Sequence, residues 1–196
     1  MRPNKRANLI CPQQEKAVLR YLTTTRNPQR DRALFLLALK AGLNARDIAA
    51  LTWSMVTDPD GPISNILSIT IQNTWGIHHR HIPMHPTLRA ALIDLYEHQK
   101  LNVHPDEPVI YSIRSKGLSA ATGKDWFRRL YQTLGMEGYA SISGRRTFIT
   151  RAAQIASEVG GKLCDVQRLA GHASLQTTQR CTDENQAVEW QLVKLL

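Results

Sequence analysis

The apolar residues of this chain repeat at helical spacing almost throughout and switch to strict alternation in one place. Residues 12–25 carry Val18, Leu19 and Leu22 on one face, which predicts a helix. A stronger one opens at Pro28, carries Leu34, Phe35, Leu36, Leu37 and Leu39, and stops at Gly42. Asn44 is a good N-cap residue, so another helix is expected from there to about Trp53, with Asp47 at its third position. The cluster Asp58-Pro59-Asp60-Gly61-Pro62 breaks the pattern. From Ile63 to Ile71 the residues Leu67, Ile69 and Ile71 alternate among β-branched neighbours, the signature of a strand. Asn73 to His79 reads as a turn and Arg80-His81-Ile82-Pro83 as the return strand. Helices are expected again at residues 86–100, 119–134, 144–157, 162–170, 174–181 and 185–196, with a short strand at Val109-Ile110-Tyr111. The expected class is therefore mainly α with a small antiparallel β-sheet (α+β), without internal repeats.

Composition sets the bounds. The 196 residues, 42% of them hydrophobic, suffice for a domain with a genuine core. No apolar run approaches the ~18–20 residues that cross a bilayer, and no apolar segment follows the basic start Met1-Arg2-Pro3-Asn4-Lys5-Arg6. Three cysteines without metal-ligand spacing (Cys11, Cys164, Cys181) fit thiols in a reducing compartment. A bacterial cytoplasmic, nucleoid-associated protein is expected, with no membrane partner, no metal, no cofactor and no small-molecule substrate. The net charge is +9, and it is uneven. Residues 1–40 hold nine bases against two acids, and residues 143–181 hold six against two. Basic patches of this kind are the electrostatic footprint of a polyanion, and double-stranded DNA is the expected partner.

Two stretches narrow the reading: Ser143-Gly144-Arg145-Arg146-Thr147-Phe148-Ile149-Thr150, and Leu169-Ala170-Gly171-His172 with Cys181 nine residues beyond the histidine. With Gly42-Leu43, Asp47 and Arg80-His81-Ile82-Pro83, they resemble the catalytic domain of the tyrosine recombinases, the phage integrase family, over about residues 28–185. The resemblance implies that family's fold and an active site made of two arginines, a lysine, two histidines and a tyrosine. Asp47, Arg145 and His172 stand at matching positions. Asn44 stands at the first arginine, Trp75 at the lysine, Ile142 at the first histidine and Cys181 at the tyrosine.

Strand cleavage, as the resemblance implies it, needs in-line attack by a phenolate on a DNA phosphate clamped by two guanidiniums, whose planar forks fit phosphate oxygens. Removing one such preorganised donor costs roughly 10²–10³ in rate. Asn44 supplies no charge, Trp75 one indole N–H, and Ile142 nothing. Cys181 is more acidic than a phenol, yet its side chain is shorter, and a misplacement of about 1 Å costs on the order of 10² in rate. Its other reading is a small apolar filler. The catalytic set is therefore expected not to be intact.

Several residues carry two readings each. Arg145 and Arg146, at a helix start, are candidate phosphate contacts or helix-surface cations. His172 is a candidate phosphate contact or a capping residue. Arg80 and His78 near the hairpin, and Arg26 and Arg30 in the basic run, are candidate DNA contacts or a solvated face. Trp75 is a wedge against a base or sugar, or packs on the sheet.

The expected organisation is a basic arm and helix over 1–27, the integrase-like fold over 28–184, and a C-terminal helix over 185–196 that docks on a neighbouring subunit or on its own core. With about 27 residues ahead of the expected fold, one module is expected to bind weakly, and a homodimer on a two-fold site is the remedy. The leading expectation is a DNA-binding regulator or accessory factor of a mobile element. The competing ones are an active recombinase, using Cys181 or a nucleophile in trans, and a recombinase-binding protein without DNA contact.

Overall fold

The computed structural model describes residues 7–59, 63–73, 76–99, 103–112 and 117–182, and leaves aside the side chains of 71–78 and 182. The order is α1 (Pro12–Leu22), α2 (Pro28–Lys40), α3 (Ala45–Ala49), a 3-10 turn (Trp53–Met55), β1 (Ile66–Asn73), β2 (Gly76–Pro83), α4 (Pro86–Gln99), α5 (Ala120–Thr133), α6 (Ser143–Glu158), α7 (Leu163–Ala170) and α8 (Leu175–Thr182). The expected class, mainly helical with one antiparallel pair of strands, is the one observed. None of the helices searched is long and apolar enough to cross a membrane. The helix expected over 185–196 lies outside the described residues. The backbone divides into two compact units, residues 1–148 and 149–196.

The first unit is organised around α2, whose Leu34, Phe35, Leu36 and Leu37 are all buried. A helix buried on every side belongs at the centre of a core, and α1, α3 and α4 pack on it. Each such side chain contributes about 1.5–3 kcal/mol when removed from water. Residues 7–22, expected as part of an arm, are built into this unit. Ile10, Val18 and Leu22 are buried, Lys40 pairs with Glu15 at 2.6 Å, and the Ile10 amide donates to Thr147 Oγ1 at 2.8 Å.

Two expected elements end differently because tertiary hydrogen bonds outcompete local preference. The helix begun at Asn44 stops at Ala49 instead of Trp53. Thr52 bridges to Pro108, and the Trp53 amide donates to the Glu107 carbonyl. The same exchange replaces the strand expected at Val109-Ile110-Tyr111 with isolated bridge residues beside it, the Val109 amide donating to Leu51. Ile63 is held by a bridge to Thr57, so β1 starts at Ile66. The hairpin is longer and tighter than expected: Asn73 pairs with Gly76, leaving two residues between the strands. Gly76 opens β2 rather than sitting in a broad turn.

The register determines which way the hairpin side chains face. Leu67 opposes Ile82 and Ile69 opposes Arg80, while Ser68 opposes His81 and Thr70 opposes His79. Leu67, Ile69 and Ile82 are buried, and His79 and His81 are exposed. Side chains alternate faces along a strand, so Arg80 belongs to the inner, apolar face.

In the second unit, α7 ends at Gly171, which takes a left-handed conformation with φ 65°. The Gly171 amide donates back to Arg168 and the His172 amide to Gln167, leading into α8.

Candidate functional site

Three segments of the first unit meet at Asp47. The N-cap Asn44 starts α3: its Oδ1 accepts from the Arg46 amide at 2.8 Å and the Asp47 amide at 3.0 Å. That places Asp47 in the first turn with its side chain buried. Its Oδ2 lies 3.4 Å from Arg80 Nη2, on the inner face of β2, and 4.0 Å from Arg145 Nη1, in the first turn of α6. Two guanidiniums thus converge on one carboxylate oxygen. Burial pulls the Arg80 guanidinium below its ordinary range, Asp47 pulls it back, and Arg145 adds to the lowering.

Two glycines bring Arg145 to this point. Gly144 lies so close to α2 that a Cβ there would sit 3.0 Å from the Ala38 Cβ and 3.2 Å from its carbonyl carbon. Gly42 has φ +65°, and a Cβ on it would sit 2.4 Å from the Phe148 ring. The Gly42 carbonyl, just past the C-terminal end of α2, accepts from Arg145 Nη1. A cation there also meets the negative end of the helix dipole.

The other sequence-predicted residues have different surroundings. Arg146 is buried, and its guanidinium donates to the Ala7 carbonyl, tying the N-terminal segment to α6. Arg30 is bound to Asp31 through Nε at 3.0 Å and Nη2 at 2.7 Å, and lies 5.9 Å over the Tyr111 ring. Arg26 is exposed, as are Arg20, Arg32 and Arg46. Ile142 is 39% exposed, an apolar side chain facing water just before α6. Trp75 and the side chain of His78 lie outside the described residues.

The second unit holds His172 and Cys181. His172 follows the Gly171 stop, and its Nδ1 lies 2.9 Å from the hydroxyl of Thr178, which is fully buried. Its carbonyl accepts from Gln167 Nε2 at 3.0 Å. Thr178 thus meets the ring and Gln167 the backbone of His172. Cys181 is half-buried, and its carbonyl accepts from the Thr150 hydroxyl at 3.1 Å. Among the described residues, no group of three His, Cys, Asp or Glu side chains is arranged to hold a metal.

Sequence reasoning missed two participants in the Asp47 cluster. It placed Arg80 near the hairpin but did not carry the Leu67/Ile69 alternation across to it, which is the signal that turns Arg80 inward. It used Gly42 as a helix stop and as part of the Gly42-Leu43 motif, whereas its carbonyl also holds Arg145.

Comparison with known proteins bears on the family and the fold. The model of the Phage integrase family matches residues 9–187, so the boundary expected at residue 28 falls inside the matched stretch. Among solved structures, XerA recombinase superposes with a TM-score of 0.77 at 19% identity, covering 98% of this chain and 66% of that one. XerH recombinase bound to a palindromic difH substrate gives 0.73 at 18%, covering 97% and 53%. A lambda integrase dimer bound to a COC′ core site gives 0.68 at 18%, covering 95% and 62%. At these identities the likeness is one of fold, and this chain spans about half to two thirds of the length of those chains. No curated protein matches the sequence.

Proposed function

Because the chain belongs to the phage integrase family, we propose that it holds the phosphodiester backbone of duplex DNA without cutting it, as a regulator or accessory factor of a mobile element. The observation that carries this reading is the employment of Asn44. Its side-chain oxygen is taken up by two backbone amides of α3, at the position where the family's first arginine would grip phosphate. A neutral capping amide stabilises a helix by about 1 kcal/mol and supplies no charge to a transition state. Meanwhile Asp47 and Arg145 remain assembled. One gripping arginine stands, while the other and the groups that act on a leaving oxygen are replaced.

The DNA partner is supported by the basic balance of +9 and by relatives whose structures hold substrate or core-site DNA. Arg145, His172 and the exposed Arg26 are the proposed phosphate contacts. Occupation of a two-fold site by a homodimer, seated in a compartment with the nucleoid, completes the proposal, by analogy with the lambda integrase dimer on its core site.

The test is a paired assay on duplex DNA. Binding is expected at low salt, with log Kd rising in proportion to log salt by about 0.9 per neutralised phosphate, and no covalent protein–DNA product is expected. The fourfold variant Asn44→Arg, Trp75→Lys, Ile142→His, Cys181→Tyr is then expected to form covalent product with binding little changed. A covalent product from the unaltered chain would refute the reading, and so would absence of any retention on DNA at low salt.

A further inference from the structure

We propose that Arg80 and Arg145 grip one and the same DNA phosphate, with Asp47 holding both guanidiniums, so that Arg80 supplies the second planar cation that Asn44 does not. This rests on the DNA-binding reading and names the chemistry of its central contact.

The strand period puts Arg80 there. Opposite Ile69 and two residues from the buried Ile82, it lies on the inner face of the hairpin, where an arginine is costly unless it is paired. What it meets is Asp47 Oδ2 at 3.4 Å, and the same oxygen lies 4.0 Å from Arg145 Nη1. The trio carries two positive charges and one negative. A guanidinium has five N–H donors in a planar fork, so a carboxylate and a phosphate can share it. Arg145 is aimed by a backbone carbonyl, that of Gly42, as well as by Asp47. Asp47 joins β2 and α6 to α3 through these two arginines, and the positive balance of the trio is what a phosphate bound to both forks would neutralise.

The two accounts separate in solution. Inorganic phosphate and a short duplex are titrated into the full chain while the arginine Nε–H resonances of Arg80 and Arg145 are followed by NMR, with Arg80→Lys giving the assignment. Both resonances are expected to move together, with one Kd for each probe. In duplex binding, Arg80→Met and Arg145→Met are each expected to weaken affinity about 10-fold, as loss of a charge-assisted hydrogen bond does. The double variant is expected to lose little more than either alone, because one phosphate is shared. Arg80→Lys keeps charge but not the fork, and is expected to fall between. Multiplying losses in the double variant, or an Arg80 resonance that ignores both probes, would overturn the clamp. Phosphate moving both resonances with no duplex bound would leave the clamp and remove the DNA reading. Duplex bound with Arg80 unmoved would do the reverse. Because the NMR titration uses the unaltered chain, a variant that fails to fold does not spare the proposal.

Discussion

The two units hold their family-matched residues by different means. In the first, Arg80 meets Asp47 across 33 residues of chain and Arg145 meets Gly42 across 103. In the second, His172 is fixed by Thr178 and Gln167, six and five residues away. The first arrangement exists only when α2, α3, the hairpin and α6 are all in place, so it is bound up with global stability. The two hydrogen bonds of His172 are short-range, whereas Cys181 is reached from Thr150 across 31 residues.

The sharpest way to break this comparison uses two glycines with the same backbone sign. Gly42 and Gly171 both have φ near +65°, so alanine at either is strained. At Gly42 the new methyl also meets the Phe148 ring. Gly42→Ala is expected to cost about 2–4 kcal/mol, strain and overpacking together. Gly171→Ala, at a helix C-cap, is expected to cost about 1–2 kcal/mol. Urea unfolding monitored by circular dichroism measures both. Equal costs would mean that the close approach of α6 to Gly42 is not a constraint on the first unit.

Next in size is removal of the charge at the centre of the cluster. Asp47→Ala leaves two guanidiniums facing one another without their carboxylate, and is expected to cost about 2–3 kcal/mol. His172→Ala loses one hydrogen bond to Thr178, expected to be worth about 1 kcal/mol or less. If the histidine variant were the more destabilised, the division into non-local and local sites would be wrong.

What was legible in the sequence follows the same line. Periodicity located nearly every helix and the hairpin, because those signals are local. Asn44 as a cap and Gly171 as a stop were readable for the same reason, each acting within a few residues. Asp47 and Arg145 stood out as family positions, but nothing local said that they share an oxygen with Arg80. That fact needed the strand register, in which Asn73 pairs with Gly76 and Ile69 with Arg80. The early stop of α3 at Ala49 was illegible because the competing partner, Glu107, is remote in sequence. The burial of Arg146 against Ala7 was illegible for the same reason.

The smallest expected effect lies at the start of α7 and tests how local the second unit is. Asp165 accepts from the Lys162 amide at 2.8 Å and pairs with Arg168. The amide bond, and then the arginine, hold its carboxyl below the usual range. A depressed carboxyl stabilises the folded form fully above its unfolded value near 3.8, and that contribution is lost as pH falls through the lower folded value. The group is solvent-exposed, so the loss is expected to appear as fraying of α7 alone. Amide hydrogen exchange followed downward from about pH 5 is the measurement. Protection in α7 is expected to fall with acid in the unaltered chain and to be low and flat in Asp165→Asn. The α3 amides capped by Asn44, a neutral side chain, are expected to show no step from their own cap in that window. An acid step in α7 that persists in Asp165→Asn would mean that the helix is held by something outside its own first turn, and the second unit would not be local after all.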